Sequence, residues 1–459
     1  MKNKSWKIEN KSNIDSQLFS GVKLRFSALN KTEKVVCLSI VLTPLWWLWG
    51  WSYLLLILAL SVFAYEIKQT GKLSLSRPSA IAILTLCFGL YTIITSYFYF
   101  ESNNISYGPR LFLSTIDSWI ASAFLLWYIQ SKNLRIRFQV VAWAFSVVVI
   151  QMLVVLFVSV LIYQQRDYAP LRSIFAFITG KSAVFERGLG NRNYLIPYFS
   201  TDRGFIPGFV RYVFFFEGPE ALALIAGFIT LMALDIKNNT WSLLLFGSSY
   251  FISLLSGTRS VFFALLIILI IRYTVTVTAG KKFGIAFVLA LMAAVSFSVF
   301  SLPLTSNIVF DNVEQTTQNV YESREDSSEA RSRIYIETWK EITDAPNTEL
   351  FWGHIIHGEN VTSHPTAKIG SHSFYLSTLL YRSGLIGTIL FILYWTSLVW
   401  WFVSTKDSRP LSCLMILALF SVTFCVMEFE QCVLIIILIS SMLQKAKTKV
   451  NSFSKVYGR

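Results

Sequence analysis

Along this chain, long apolar runs are set off by short polar connections. They lack the period-two alternation of half-buried strands and the narrow stripe of soluble helices. A helix needs roughly 20 apolar residues to cross a bilayer, and fewer where it is kinked or the bilayer is thin. The pattern predicts spans at Val35 to Trp49, Gly50 to Tyr65, Ser79 to Phe100, Leu111 to Gln130 and Phe138 to Ile162. Further spans follow at Tyr212 to Leu234, Trp241 to Ser256, Ser260 to Ile271, Phe283 to Leu302, Thr378 to Val403, Leu411 to Met427 and Gln431 to Leu443. The first two divide one unbroken run at Gly50, and the Ser260 span is short enough to cross only at the thinnest point. The predicted fold is an all-α polytopic membrane protein of about 12 transmembrane helices. It comprises a polar, basic N-terminal segment (1–34), a single transmembrane domain (35–444) and a basic tail (445–459).

Lys and Arg placement orients these spans. With the N-terminus inside, inner segments hold 25 of the 40 Lys and Arg residues, and every inner connection carries at least one. This is the positive-inside pattern, with both termini cytoplasmic. Only six of the 26 acids fall inside: Glu9, Asp15, Glu33, Glu66, Asp235 and Asp407. Two outer segments are long, 163–211 and 303–377. The first carries seven bases against three acids, and the second 11 acids against five bases before His372. Long loops gathered on one face more often carry function than mere connection. The outer face is therefore the working one and the inner face is plain.

Composition agrees. Hydrophobic residues make up 54% of the 459 residues and charged ones only 14%, against about a quarter in soluble domains. The net charge of +14 is accounted for by topology, and nucleic acid is not an expected partner. Cys37, Cys87, Cys413, Cys425 and Cys432 all lie in apolar stretches, which favours buried, inert thiols over a disulfide framework. The first 34 residues lack the compact apolar region of a signal peptide, and no internal repeat is evident.

Candidate chemistry concentrates in the outer segments. His354, His357, His364 and His372 fall within 19 residues, but H-x-x-H-x6-H-x7-H is not a zinc signature and no cysteine is near. No metal or cofactor is expected. For the first three, an exposed polar loop is the simpler reading. His372 differs because it stands where the loop enters the membrane, and an imidazole there can serve as a general base. In SEARSRIYIETWKEI, Arg331, Tyr335, Trp339 and Ile342 share one helical face. That helix either lies on the bilayer with Arg331 paired to Glu325 or Glu329, or holds Arg331 or Arg333 over a cleft. In the turn SGTRSVFFALL, Gly257 permits the hairpin and Arg259 meets a phosphate, of either lipid or substrate. In RYVFFFEGPEALAL, Glu217 and Glu220 stand at a helix start, either compensating its dipole or orienting a sugar or arginine, and Arg211 precedes them. Arg382 lies about 15 Å along a helix drawn from His372 and should face the bundle interior, where a charge finds a partner. Asp117 is the other deep charge.

Guanidinium groups at an outer lipid boundary suit a lipid-linked diphosphate, and they can stabilise it as a leaving group. Three stretches carry a resemblance to the O-antigen ligase and polymerase superfamily of bacterial inner-membrane glycosyltransferases. SGTRSVFFALL resembles its Gly-Ser/Thr-Arg turn, ARSRIYIETWKEITDAPNTELFWGH its arginine-bearing helix and Pro and Gly approach, and GSHSFYLSTLLYRSGLIGTILF its histidine motif. The resemblance implies metal-independent, inverting transfer at the periplasmic face of the inner membrane, with His372 as base and Arg259 on the diphosphate. Arg211 is a looser match. The substrate would be an undecaprenyl-diphosphate-linked oligosaccharide. The acceptor would be a glycan, or lipid A core or protein for a ligase, and a chain-length regulator is a further candidate partner. Ligases typically show His-Asn where this chain has His372-Ser373, which favours a polymerase. A lipid-linked oligosaccharide flippase is the competing class, but it would have more mid-membrane charges and no reason for a loop-borne histidine.

Overall fold

The structure is a computed structural model, and it describes residues 18–104, 109–182, 184–185, 191–277, 325–362 and 367–443. The expected span at Phe283 to Leu302, residues 1–17, the loop up to 324, His364 and the tail from 444 lie outside the described residues.

Among the described residues, five helices are long and apolar enough to cross a membrane: Ala80–Ser102, Phe112–Ser131, Phe138–Leu161, Arg259–Thr276 and Phe374–Ser404. Each begins or ends near the expected boundary, and the short span expected at Ser260 extends to a helix over Arg259–Val277. The apolar run at Val35 to Tyr65 is broken where the division was drawn. Helices Thr43–Trp49 and Leu54–Thr70 meet at 112°, with Gly50 in a left-handed cap at φ 98°. The other expected spans appear as shorter helices, Pro219–Ala233, Asn239–Leu255, Ser412–Thr423 and Val433–Ser441.

Pro219–Ala233 and Ser412–Thr423 form the centre of the bundle, with nearly every side chain buried. Helices that are apolar all round belong in such an interior. Around them, Ile150, Val154 and Phe157 on Phe138–Leu161 and Ile83, Leu86, Leu90 and Ile94 on Ala80–Ser102 stay exposed, as a lipid-facing belt requires. Four of the cysteines are buried, whereas Cys87 is exposed in this belt. The all-helical expectation needs an amendment, since four short two-stranded pairings occur among the described residues. The loop after Phe138–Leu161 contains short antiparallel pairs, Leu171–Arg172 with Tyr194–Leu195 and Tyr198–Arg203 with Val210–Tyr212.

The charges expected inside gather at one end of the bundle. Glu33 caps its own helix from Asn30 and takes two bonds from the Arg137 guanidinium, 2.7 and 2.6 Å. Asp235 bonds Arg272 at 2.6 Å and accepts from the Ser412 backbone at 2.8 Å. Glu66 pairs with Lys132. Arg409 closes the carbonyls of Ile439, Ser440 and Met442. Ion pairs thus staple the end at which the expected inner charges gather.

Candidate functional site at the outer end of the bundle

The histidine loop is held by two helices. Ser373 caps the π-helix Phe374–Arg382 through the Leu376 N–H at 3.2 Å. Ser377 donates to the Ser371 carbonyl at 2.7 Å, and Thr338, on the helix Glu325–Asp344, accepts from the Gly370 N–H at 2.9 Å. Tyr335 on the same helix donates to the His372 carbonyl at 3.1 Å. Burial pushes the Tyr335 hydroxyl up to about 12, so it remains a donor at any working pH. These bonds keep His372 at φ 67°, a left-handed conformation that costs a non-glycine residue about 1–3 kcal/mol.

The same contacts favour one tautomer of the imidazole. The Ser371 hydroxyl donates its one proton to the Lys368 carbonyl at 2.6 Å. With that proton so placed, its oxygen can accept from His372 Nδ1, 2.7 Å away, the tautomer that leaves the lone pair of the neutral ring on Nε2.

The helix Glu325–Asp344 packs on the protein, with Ile334, Tyr335, Thr338 and Ile342 buried. Among the described residues its contacts lie on the histidine loop and the π-helix. Arg331 is half-buried and within electrostatic reach of both Glu220 and Tyr335, while Arg333 is exposed on the other side of the helix. The side chains of Glu325 and Glu329 lie outside the described residues.

Arg211 joins the cluster from the preceding hairpin. Its guanidinium donates to the Ser256 carbonyl at 2.8 Å, to Glu220 at 3.1 Å and to the Thr258 hydroxyl at 3.4 Å. Gly257, at φ 64°, makes room for it: a Cβ there would stand 3.3 Å from Arg211 Cγ. Arg259 opens the next helix one residue beyond Thr258. Arg211, Arg259, Glu220, Arg331 and, through Tyr335, the His372 loop thus lie at one end of the bundle.

Beyond Arg382 the helix breaks at Gly384, where φ is 60° and ψ −169°. A Cβ on Gly384 would collide with the Gly353 nitrogen and the Phe351 carbonyl at 2.5 Å. Residues 354 and 355 take up the carbonyls that the break frees, Tyr381 at 2.8 Å and Arg382 at 3.1 Å. Arg382 stands beside the histidine loop, where it and His372 both act on His357. It contacts Thr378 and lies 3.5 Å from Glu428. Asp117 is likewise no isolated deep charge, since its carboxylate accepts from the Leu56 N–H at 2.7 Å and caps the start of Leu54–Thr70.

Several residues here were not singled out by sequence reasoning. Glu428 accepts from Thr378 at 2.7 Å. Desolvation raises its carboxyl above the ordinary value, against the pull of Arg382. Arg192 donates to Glu217 at 2.6 Å and to Glu430 at 3.1 Å, so Glu217 faces Arg192 while Glu220 faces Arg211. Between Glu428 and Glu430, Phe429 is buried among Trp119, Phe374 and Phe391 and fixes both carboxylates. Two acids in an otherwise apolar stretch near the C-terminus were the available signal. His354 and His357 are also less exposed than expected. His354 stacks on Tyr381 at 4.1 Å and meets Glu349 at 3.3 Å. Burial and the cations Arg382, Lys368 and His372 lower His357 to about 4. Among the described residues, no three His, Cys, Asp or Glu side chains come together as a metal site.

Helices long and apolar enough to cross a membrane surround an end lined by arginines, carboxylates and a histidine, as in a multi-pass membrane protein. Residues 241–392, about a third of the chain, match the family model described as O-antigen ligase, in support of the resemblance to the O-antigen ligase and polymerase superfamily. The matched stretch includes Arg259, Arg331, Arg333, His372 and Arg382; Arg211, Glu217 and Glu220 precede it. No curated protein and no solved structure matches the chain.

Proposed function

We propose that this protein is a surface-polysaccharide polymerase of the bacterial inner membrane. It would transfer an oligosaccharide from undecaprenyl diphosphate to an acceptor hydroxyl at the periplasmic face. The observation that carries this reading is the meeting of Arg211, Glu220 and Arg331 beside the Tyr335-held loop of His372. Arg259, Arg211 and Arg331 hold the diphosphate. Glu220 orients two of these guanidinium groups. His372 Nε2 takes the proton of the acceptor hydroxyl as its oxygen attacks the anomeric carbon from the face opposite the diphosphate. The anomeric C–O bond to the diphosphate breaks, its electron pair leaves with the lipid diphosphate, and the arginines stabilise that charge. The anomeric centre inverts, and guanidinium groups supply the charge stabilisation that a metal would otherwise give. Arg382, Glu217 and Arg333 are glycan-side candidates. Of the three, Arg382 stands nearest the histidine loop.

Ligation to lipid A core or protein is the second reading, favoured by the description of the matched family. The pair His372-Ser373, where ligases typically show His-Asn, favours the polymerase. Deletion of the gene followed by surface-glycan analysis tests the proposal. Single repeat units left on an intact carrier are expected. Long glycan retained on the carrier would instead make the protein a ligase, and units trapped on the cytoplasmic leaflet would make it a flippase.

A further inference from the structure

The first outer loop carries an apolar surface that the site does not use. Ser173 caps the short helix Ile174–Ile178. The helix buries Ala176, while Ile174, Phe177 and Ile178 are 51%, 68% and 67% exposed. Leu171 on one flank and Val184 on the other are 73% and 68% exposed. Five large apolar side chains gathered this way on a loop do not suit water, and patches of this kind mark a protein or membrane contact.

Three observations identify the occupant. First, the helix rests on the membrane bundle. Phe175 meets Trp49 edge-on at 5.7 Å and Tyr53 at 5.6 Å, at the elbow where Thr43–Trp49 and Leu54–Thr70 meet. Second, a slot of about 310 Å³ opens between Phe175 and Leu56, Ile57 and Leu113, and Ile57 and Leu113 are themselves exposed on neighbouring apolar helices. The exposed face therefore continues the lipid-facing belt. Third, cations flank it. Arg172 lies over the Phe177 ring at 5.3 Å and donates to the Lys181 carbonyl at 3.0 Å, which holds the two bases together at one edge. An apolar face edged by basic residues is the arrangement of an interfacial helix, with acyl chains beneath and lipid phosphates alongside.

We infer that the segment from Leu171 to Lys181 is an interfacial anchor. Ile174, Phe177 and Ile178 insert into the acyl layer of the leaflet at the site's end of the bundle, and Arg172 and Lys181 lie at the depth of its phosphates. The anchor sets the height of the outer loop. Asn193, whose carbonyl bonds the Ser173 N–H at 2.8 Å, ties that loop to Arg192 and its carboxylates. The inference does not depend on the proposed transfer reaction, and its test reads no activity.

Nitroxide labels at Phe177→Cys and Ile178→Cys test it, in the full chain carrying Cys87→Ser and reconstituted in vesicles of phosphatidylethanolamine and phosphatidylglycerol. Both positions are mostly exposed, so the fold tolerates either label, and two sites guard against loss of one. Phe157→Cys on the lipid belt and Asp167→Cys in the loop serve as controls. Collisions with dissolved oxygen should exceed those with a water-soluble nickel chelate at 177 and 178, as at 157, with the reverse at 167. Nickel accessibility at 177 equal to that at 167 would place the face in water and overturn the anchor. Protection from both reagents, or dipolar broadening between copies, would make the occupant protein and overturn it equally.

Discussion

Replacing His372 with alanine and with glycine should separate backbone strain from chemistry. Both variants remove the imidazole and its bond to Ser371, so those losses cancel in the comparison. What remains is the backbone at φ 67°. A left-handed conformation costs an L-residue roughly 1–2 kcal/mol, and glycine escapes that cost. Against this, glycine loses roughly 0.5–1 kcal/mol more backbone entropy on folding than alanine. The net difference is about 1 kcal/mol in favour of His372→Gly, the reverse of the usual order. In a chain of this length that corresponds to about 1–2 °C in thermal midpoint, measurable for the purified protein in one detergent. Glycan chain growth should fall about 100-fold or more in both variants, as for loss of a general base. His372→Ala being as stable as His372→Gly would show that the left-handed loop does not exist in solution. Chain-length ladders persisting in either variant would remove His372 from the chemistry.

Other perturbations divide the two ends of the bundle. Arg259→Lys keeps the charge but loses the two-pronged donor geometry, so about tenfold lower activity at normal protein levels is expected in a ladder assay. Tyr335→Phe removes one hydrogen bond to the His372 carbonyl, worth about 1 kcal/mol. It should lower kcat several-fold with KM unchanged, which a steady-state comparison reads directly. Arg137→Gln leaves the nearly inaccessible Glu33 carboxylate (1% exposed) without its cation. A loss of about 3–5 kcal/mol should appear as poor insertion and yield rather than altered turnover. His357 is held neutral in the fold down to about pH 4, while the unfolded chain takes up a proton near 6.5. Its contribution is complete above about pH 6.5 and is lost as pH falls from there towards 4. In thermal scans His357→Gln should therefore be less acid-sensitive than the parent across that window.

The apolar runs made much of the bundle legible, since Ala80–Ser102 and Phe138–Leu161 appear close to where hydropathy puts them. Hydropathy cannot distinguish a lipid neighbour from a protein one. Pro219–Ala233 and Ser412–Thr423 therefore read as ordinary spans although they are buried on all sides. The sorting of charges to two ends was also readable. Their pairing was not, because Arg192 and Glu430 are 238 residues apart and meet only through the fold. Arg211, Arg259 and His372 stood out as polar residues at membrane boundaries, a local signal. The break at Gly384 left none, because the sequence stays apolar through it while the backbone turns to accommodate Gly353.

Turnover by the purified protein bears most directly on the arginine–histidine site. The protein would be reconstituted with an oligosaccharide linked to undecaprenyl diphosphate as sole substrate, and elongated lipid-linked glycan and released undecaprenyl diphosphate would be counted together. The parent should release one undecaprenyl diphosphate for each repeat unit added to the lipid-linked glycan, and His372→Gly and Arg211→Met should neither elongate nor release while remaining folded. Elongation that continues undiminished in both variants would contradict the assignment of this site.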